Sequence, residues 1–338
     1  MMTTLLIISL GFIFGGILQY SNLNKFNTIS GLAVRENYSV LKAIAIAVGI
    51  GMILINVEIS LGLASFHVKP FILGGIVLGG LIFGIGMAIL GYCPGTIAIS
   101  AGQGSTDALF GIVGGLLGGL LYTLVLPYIA PILGPDFGKL SLNSLLGDGL
   151  LFYAVLLIVG GLFIYIAFVF QKIDKNKDKK WIVSGVLLAI LSVVIFSNNV
   201  TGRPIGASTA FPYMGDSIAC VTDGDYFTKI TKSGNWEMLF LLGSFISGLV
   251  ISLYKKQFKF KLIQENWIKY KGNSKLNRII WSVLGGVILI FGARMAGGCT
   301  SGHIISGGMQ FAISSLVFAI FTFVGLLITG QLFYLRKK

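Results

Sequence analysis

The sequence predicts an all-α polytopic membrane protein of about nine transmembrane helices, built as two inverted four-helix repeats around a linker helix, with a short re-entrant, glycine-rich cysteine loop in each repeat. Three observations lead there. Hydrophobic residues fill 55% of the 338 positions and charged ones 11%, with a mean hydropathy of +0.90, against about 25% charged in an average soluble domain. Apolar runs recur along the whole length, most near the roughly 20 residues that a helix needs to cross about 30 Å of hydrocarbon. The order of spans, polar loops and cysteine loops in the first half returns in the second.

Windows of sustained apolarity place the spans at 2–20, 40–60, 70–91, 107–130, 148–171, 181–197, 237–254, 279–295 and 311–335. No Lys or Arg precedes Lys25, so the charged start of a secretory signal is missing and the first run reads as a retained span. The third and fourth spans carry small residues three or four apart, such as Gly75 with Gly79, Gly80 with Gly84 and Gly111 with Gly114 and Gly115. In lipid such spacing lets helix backbones approach closely. Pro127, Pro131 and Pro135 are expected to terminate the fourth span. The spans from 181 and 279 are short, as tilted helices or ones ending in re-entrant pieces would be.

With nine spans, alternate connections fall on opposite sides of the membrane, and the basic residues test that. One side receives 19 of the 25 Lys and Arg, grouped in 25–42, 172–180, 255–278 and the terminal Arg336, Lys337 and Lys338. The other receives Lys69, Lys139, Arg203, Lys229, Lys232 and Arg294. By the positive-inside rule the crowded side is cytoplasmic, giving an N-terminus outside and a C-terminus in the cytoplasm of a cell (inner or plasma) membrane protein. The same rule accounts for the net charge of +13; no nucleic-acid-binding module accompanies it, so no nucleic-acid partner is expected.

Spans one to four run helix, polar loop (21–39), helix, helix, cysteine loop (91–106), helix. Spans six to nine repeat that order with loops 198–236 and 296–310. The resulting division is an N-terminal repeat over 1–134, a linker helix and basic loop over 135–180, and a C-terminal repeat over 181–338. The first helices of the two units are five spans apart in order, the first and the sixth, so the units sit upside down relative to each other, with a pathway near the midplane.

The first cysteine loop carries Gly91, Tyr92, Cys93, Pro94, Gly95 and Thr96 and runs on through Gln103 to Asp107; the second carries Gly297, Gly298, Cys299, Thr300, Ser301, Gly302 and His303. Either loop alone could be an ordinary tight connection. Non-helical backbone at membrane depth survives where it is buried in protein or lines a wet cavity, so a matching break in each half points to a pore. Broken helices expose N–H groups and positive dipole ends, which suit an anion. A thiol is a weak donor with a polarizable sulfur, able to touch a sulfur-bearing anion and still release it. Arg294, five residues before Cys299, is one of few charges inside the spans; it either attracts the anion or snorkels to an interface.

Other chemistries find less support. Cys299 and His303 stand four apart, but no matching Cys/His pair occurs elsewhere, so neither metal nor cofactor is expected. Cys93, Cys220 and Cys299 form no CxxC and read as free thiols. A membrane sulfurtransferase would need a water-accessible thiol beside a base, for which His303 is the candidate. A partner-anchoring subunit would use the basic loop 255–278, which the positive-inside rule already explains. No enzyme activity is expected.

At 91–96 with 104–108, and at 291–303, the chain resembles the YeeE/YedE family of sulfur-compound transporters, which includes thiosulfate uptake members; weaker similarity covers nearly the whole length. The resemblance implies inverted halves whose short loop helices pinch an hourglass-shaped path, with cysteine thiols passing the ion along by S–H hydrogen bonds. Cys93 and Cys299 match two of those cysteines. The thiol that members often carry in the first polar loop is absent from 19–27, and Cys220, in the corresponding loop of the other half, matches no motif. The implied substrate is thiosulfate, with other sulfur or selenium compounds as alternatives, and the implied partner is a small cytoplasmic sulfur-carrier protein.

Overall fold

A computed structural model describes residues 2–335, and every regular element among them is helical. In chain order these are α1 (Met2–Tyr20), α2 (Phe26–Ala33), α3 (Ser39–Ser60), α4 (Leu73–Leu90), α5 (Pro94–Gly102), α6 (Thr106–Leu133), α7 (Leu142–Leu146), α8 (Leu150–Ile173), α9 (Lys180–Phe196), α10 (Ala210–Ile218), α11 (Asp225–Tyr254), α12 (Glu265–Lys271) and α13 (Lys275–Met295). A π-helix, π1 (Thr300–Gly307), then α14 (Ile313–Thr329) and π2 (Gly330–Leu335) complete the chain. Eight helical segments are long and apolar enough to cross a membrane; α9, at 17 residues, is shorter, about 26 Å at 1.5 Å per residue. Leu, Ile and Val side chains stay exposed along α6, α8 and α9, which is the lipid-facing surface of a multi-pass membrane protein.

Several expectations are corrected. The fourth span does not stop at Pro127 or Pro131: both lie inside α6, and the helix ends at Gly134, whose φ is +81°. Proline in the final turns frees only carbonyls near a membrane surface, where the loss is tolerated. The seventh span starts at Asp225 rather than 237, because its first turns are too polar for a hydropathy window. The two cysteine loops are mostly helix, with short breaks at 91–93 and 296–299. Arg278, assigned from sequence to a basic loop, is fully buried in an ion pair with Asp107. Arg336, Lys337 and Lys338 lie outside the described residues.

The glycine spacing does what it predicts. A Cβ on Gly86 would collide with the backbone of Leu289, one on Gly286 with Gly111, and one on Gly84 with Thr322. The backbones of α4, α13, α6 and α14 thus touch along their length, as small-residue packing allows. Packing partners come in matched sets: α6 lies on α13 and α4 on α14, while α1 lies on α11 and α3 on α9.

One end of the molecule, here called the basic end, carries the connections 21–38, 174–179 and 255–274. It is pinned by a buried Lys42–Asp174 pair at 2.7 Å and by strand-like contacts of 104–106 with Lys261. At the opposite end Ser141 pairs with Ala312, closing the link between α6 and α8 onto the start of α14. So α5 leads from the first break to the basic end, and π1 leads from the second to the opposite end.

Candidate functional site

A vestibule of about 840 Å³ opens at the end opposite the basic one. Its wall includes Lys69, Lys139, Arg203, Lys229, Lys232 and Arg294. These are the six cations that the sequence leaves on the sparse side, now gathered around one cavity. Glu237 is the carboxylate in that wall. It is committed to the protein: Oε2 accepts from the Thr209 backbone N–H at 2.6 Å, and Arg203 donates to Oε1 at 3.4 Å. Burial lowers the pKa of Arg203, and Glu237 opposes the shift. Arg294 is buried. Its guanidinium donates to the Tyr226 hydroxyl at 2.8 Å and to Thr209 Oγ1 at 3.0 Å, facing the vestibule.

A second cavity, about 60 Å³, lies toward the basic end and is almost wholly apolar. Cys93, Gly95 and Thr96 enter it from the start of α5, and Thr300 and Ser301 from the start of π1. Both short helices therefore aim their N-termini, and with them positive dipole ends, at one small space. Leu23, Ile29 and Leu32 close it toward the basic end.

The two thiols are built alike. Cys93 is the N-cap of α5; the Thr96 hydroxyl touches its Sγ at 3.3 Å and accepts from its backbone N–H at 2.9 Å. Cys299 is the N-cap of π1, with Ser301 Oγ at 3.2 Å from its Sγ. Cys93 is half-buried and lines the small cavity, whereas Cys299 is buried and lines neither cavity.

Each break leaves carbonyls at the end of a long helix, and in each case a cation near the start of the partner helix takes them. Arg278, in the first turn of α13, donates to the carbonyls of Ile89 and Leu90 at 3.3 and 2.8 Å. Lys69, just before α4, donates to the carbonyl of Gly297. Arg278 is then sealed by Asp107 at 2.6 Å and by the rings of Phe26 and Trp267, while Tyr92 donates to the same carboxylate. Lys69 is half-buried on the vestibule floor. Burial brings its pKa down to about 8; Arg294 and Arg203 add to the effect, and Cys299 and Glu237 oppose it.

The structure brings together Cys93, Gly95, Thr96, Thr300 and Ser301 around the small cavity, and Arg294 with Gly302 in the vestibule. Gly91 and Pro94 shape the first break: Gly91 has φ +77° and closes α4, and Pro94 begins α5. Gly298 lies against Lys69. Gln103 stands apart, accepting from Asn24 at 2.9 Å. Both ring nitrogens of His303 are engaged, with Ser315 Oγ at 3.0 Å and the Ala296 carbonyl at 2.8 Å, so its ring braces the second break. Cys220 is exposed, beyond the end of α10, and lines neither cavity. Lys69, Tyr226 and Glu237 were not singled out from sequence. The signal that finds Lys69 is the short roll of cations on the sparse side, which a hydropathy reading treats as background; Tyr226 and Glu237 carry no such signal.

The chain is 26% identical over 332 residues to the thiosulfate transporter TsuA of Spirochaeta thermophila, covering 93% of this chain and 94% of that one. It is 21% identical over 353 residues to the thiosulfate transporter TsuA of Escherichia coli, covering 97% and 94%. With the sulphur-transport family model matching residues 21–328, which takes in both breaks and every cation of the vestibule, the chain belongs to that family.

Proposed function

We propose that the protein is a membrane permease for a small sulfur oxyanion, thiosulfate first, which enters the vestibule and passes Cys299 and then Cys93. The observation that carries this is the convergence of two thiol-capped helix N-termini on one narrow cavity below a wall of six cations. The cations concentrate an anion at the mouth. Two helix N-termini and two weak S–H donors then replace part of its hydration shell without a strong, trapping contact. The names of the relatives support thiosulfate over other anions.

In this reading the units over 1–134 and 181–338 are inverted repeats around a linker over 135–180, an arrangement supported by the matched packing of α1 on α11 with α3 on α9. The basic end is cytoplasmic, so the vestibule faces outside the cell membrane. A small cytoplasmic sulfur-carrier protein would receive the ion there. A sulfurtransferase is less well supported, because the ring nitrogens of His303 are both taken and Cys299 is buried.

The test is growth and labelled uptake in cells unable to import thiosulfate. Wild type should restore both; Cys93→Ala and Cys299→Ala, at matched membrane expression, should each abolish them. Uptake untouched by both substitutions would rule out the thiol path, and no uptake by wild type would shift the substrate to another sulfur or selenium compound.

A further inference from the structure

Buried or half-buried cations in this protein mostly have a carboxylate partner: Lys42 pairs with Asp174, Arg278 with Asp107 and Arg203 with Glu237. Among the described residues, Lys69 and Arg294 form no ion pair, although Arg294 is close enough to disfavour the charge on Lys69. Glu237 is the carboxylate nearest to hand in the vestibule wall, and it is committed to Arg203 and the Thr209 N–H, so two positive charges on one cavity floor favour a negative ligand beside them.

The surroundings of Lys69 are shaped to hold its head group there. Its backbone carbonyl accepts from Ser314 at 3.0 Å, which ties the link between α3 and α4 to α14. Its Nζ sits over the second break, where a Cβ on Gly298 would collide with it and one on Gly302 would lie 3.4 Å away. Those two glycines flank Cys299 in sequence, and the thiol interacts electrostatically with the ammonium. An ammonium has three N–H donors and Gly297 uses one, so two remain for a ligand.

We infer that Lys69, with Arg294 beside it, forms the anion-binding site on the vestibule floor, from which a doubly charged sulfur oxyanion is delivered to Cys299. The inference rests on the permease reading for the identity of the ion, but the site itself does not. Two cations match two negative charges. The ammonium, a compact charge on a flexible stem, can follow a small ion as it turns toward the thiol, whereas the Arg294 fork is fixed by Tyr226 and Thr209.

The experiment pairs uptake with binding, using Lys69→Gln and Lys69→Arg. Loss of a charged hydrogen-bonding partner should raise the half-saturating thiosulfate concentration about 10- to 100-fold in Lys69→Gln, while Lys69→Arg stays within a few-fold of wild type. In detergent, thiosulfate and sulfate should raise the melting temperature of wild type and not that of Lys69→Gln, the two ion-free proteins melting alike. An unchanged half-saturation in a folded Lys69→Gln overturns the site. If wild type imports no thiosulfate, the permease reading fails by itself; anion-dependent stabilisation lost in Lys69→Gln would still support the site, and its absence in wild type would sink it.

Discussion

The break at Cys93 and the break at Cys299 follow one plan and end in opposite states. Both put a thiol at the N-cap of a short helix with a hydroxyl on the sulfur, and both hand the orphaned carbonyls to a cation from the facing half. At the first, Arg278 is buried beneath Asp107, Phe26 and Trp267, next to a cavity of about 60 Å³. At the second, Lys69 has no carboxylate and faces about 840 Å³ of vestibule. The following helix is an ordinary α-helix in one case and a π-helix in the other, a geometry often found at functional sites. The first break is braced, the second is open to a ligand. Under the proposed permease, a molecule that pairs one of these cations with a carboxylate and turns the other to the vestibule is poised to receive an anion from one side.

The comparison breaks most visibly at Arg278. Arg278→Met strands Asp107 in the interior and should cost about 3–5 kcal/mol, read as a large fall in the melting temperature of the purified protein. Arg278→Met with Asp107→Leu should recover part of that loss. Lys69→Gln, the counterpart at the other break, should leave the melting temperature nearly unchanged. Equal destabilisation at both cations would show that the two breaks are braced alike.

Titration sharpens the same contrast at intermediate size. Lys69 ionises near pH 8, because burial and then the nearby Arg294 disfavour its charge, with Arg203 adding to this and Cys299 and Glu237 opposing it. The group is charged below that value and neutral above it. Half-saturation for thiosulfate should therefore climb as the external pH rises from 7 to 9 in wild type and stay flat in Lys69→Arg, whose guanidinium holds its proton. A parallel climb in both proteins would place the titration elsewhere.

Much of this fold is legible in the sequence, since hydropathy windows locate spans by the same transfer energetics that bury them. The glycine rows foretell close helix contacts because nothing larger fits between Gly86 and Leu289. The polar first turns of α11 escape a hydropathy window because Tyr226, Lys229 and Lys232 line the vestibule. Cys93 and Cys299 are readable from their repeated context. Lys69 is not, because its role comes from a partner 228 positions away, the carbonyl of Gly297. Arg278 misleads for the same reason: a basic residue at the end of a basic loop looks solvated until Asp107 is seen beside it.

The smallest expected effects separate entry from passage. A methyl on Gly302 would meet Lys69 Nζ at 3.4 Å and the Ile205 carbonyl at 3.9 Å; one on Gly95 would meet the Phe14 ring at 3.5 Å and Ala207 at 3.8 Å. All are ordinary contacts, so both variants should fold and melt like wild type. Gly302→Ala crowds the ammonium in the vestibule, so it should raise half-saturation by a few-fold and leave the maximal rate alone. Gly95→Ala puts its methyl into the 60 Å³ cavity beside Cys93, where one methyl is a large share of the free space, so it should lower the maximal rate and leave half-saturation alone. Kinetic uptake curves for the two variants decide it: if both change the same parameter, the floor of the vestibule and the narrow cavity act as one site, and the distinction between a loading break and a passing break falls.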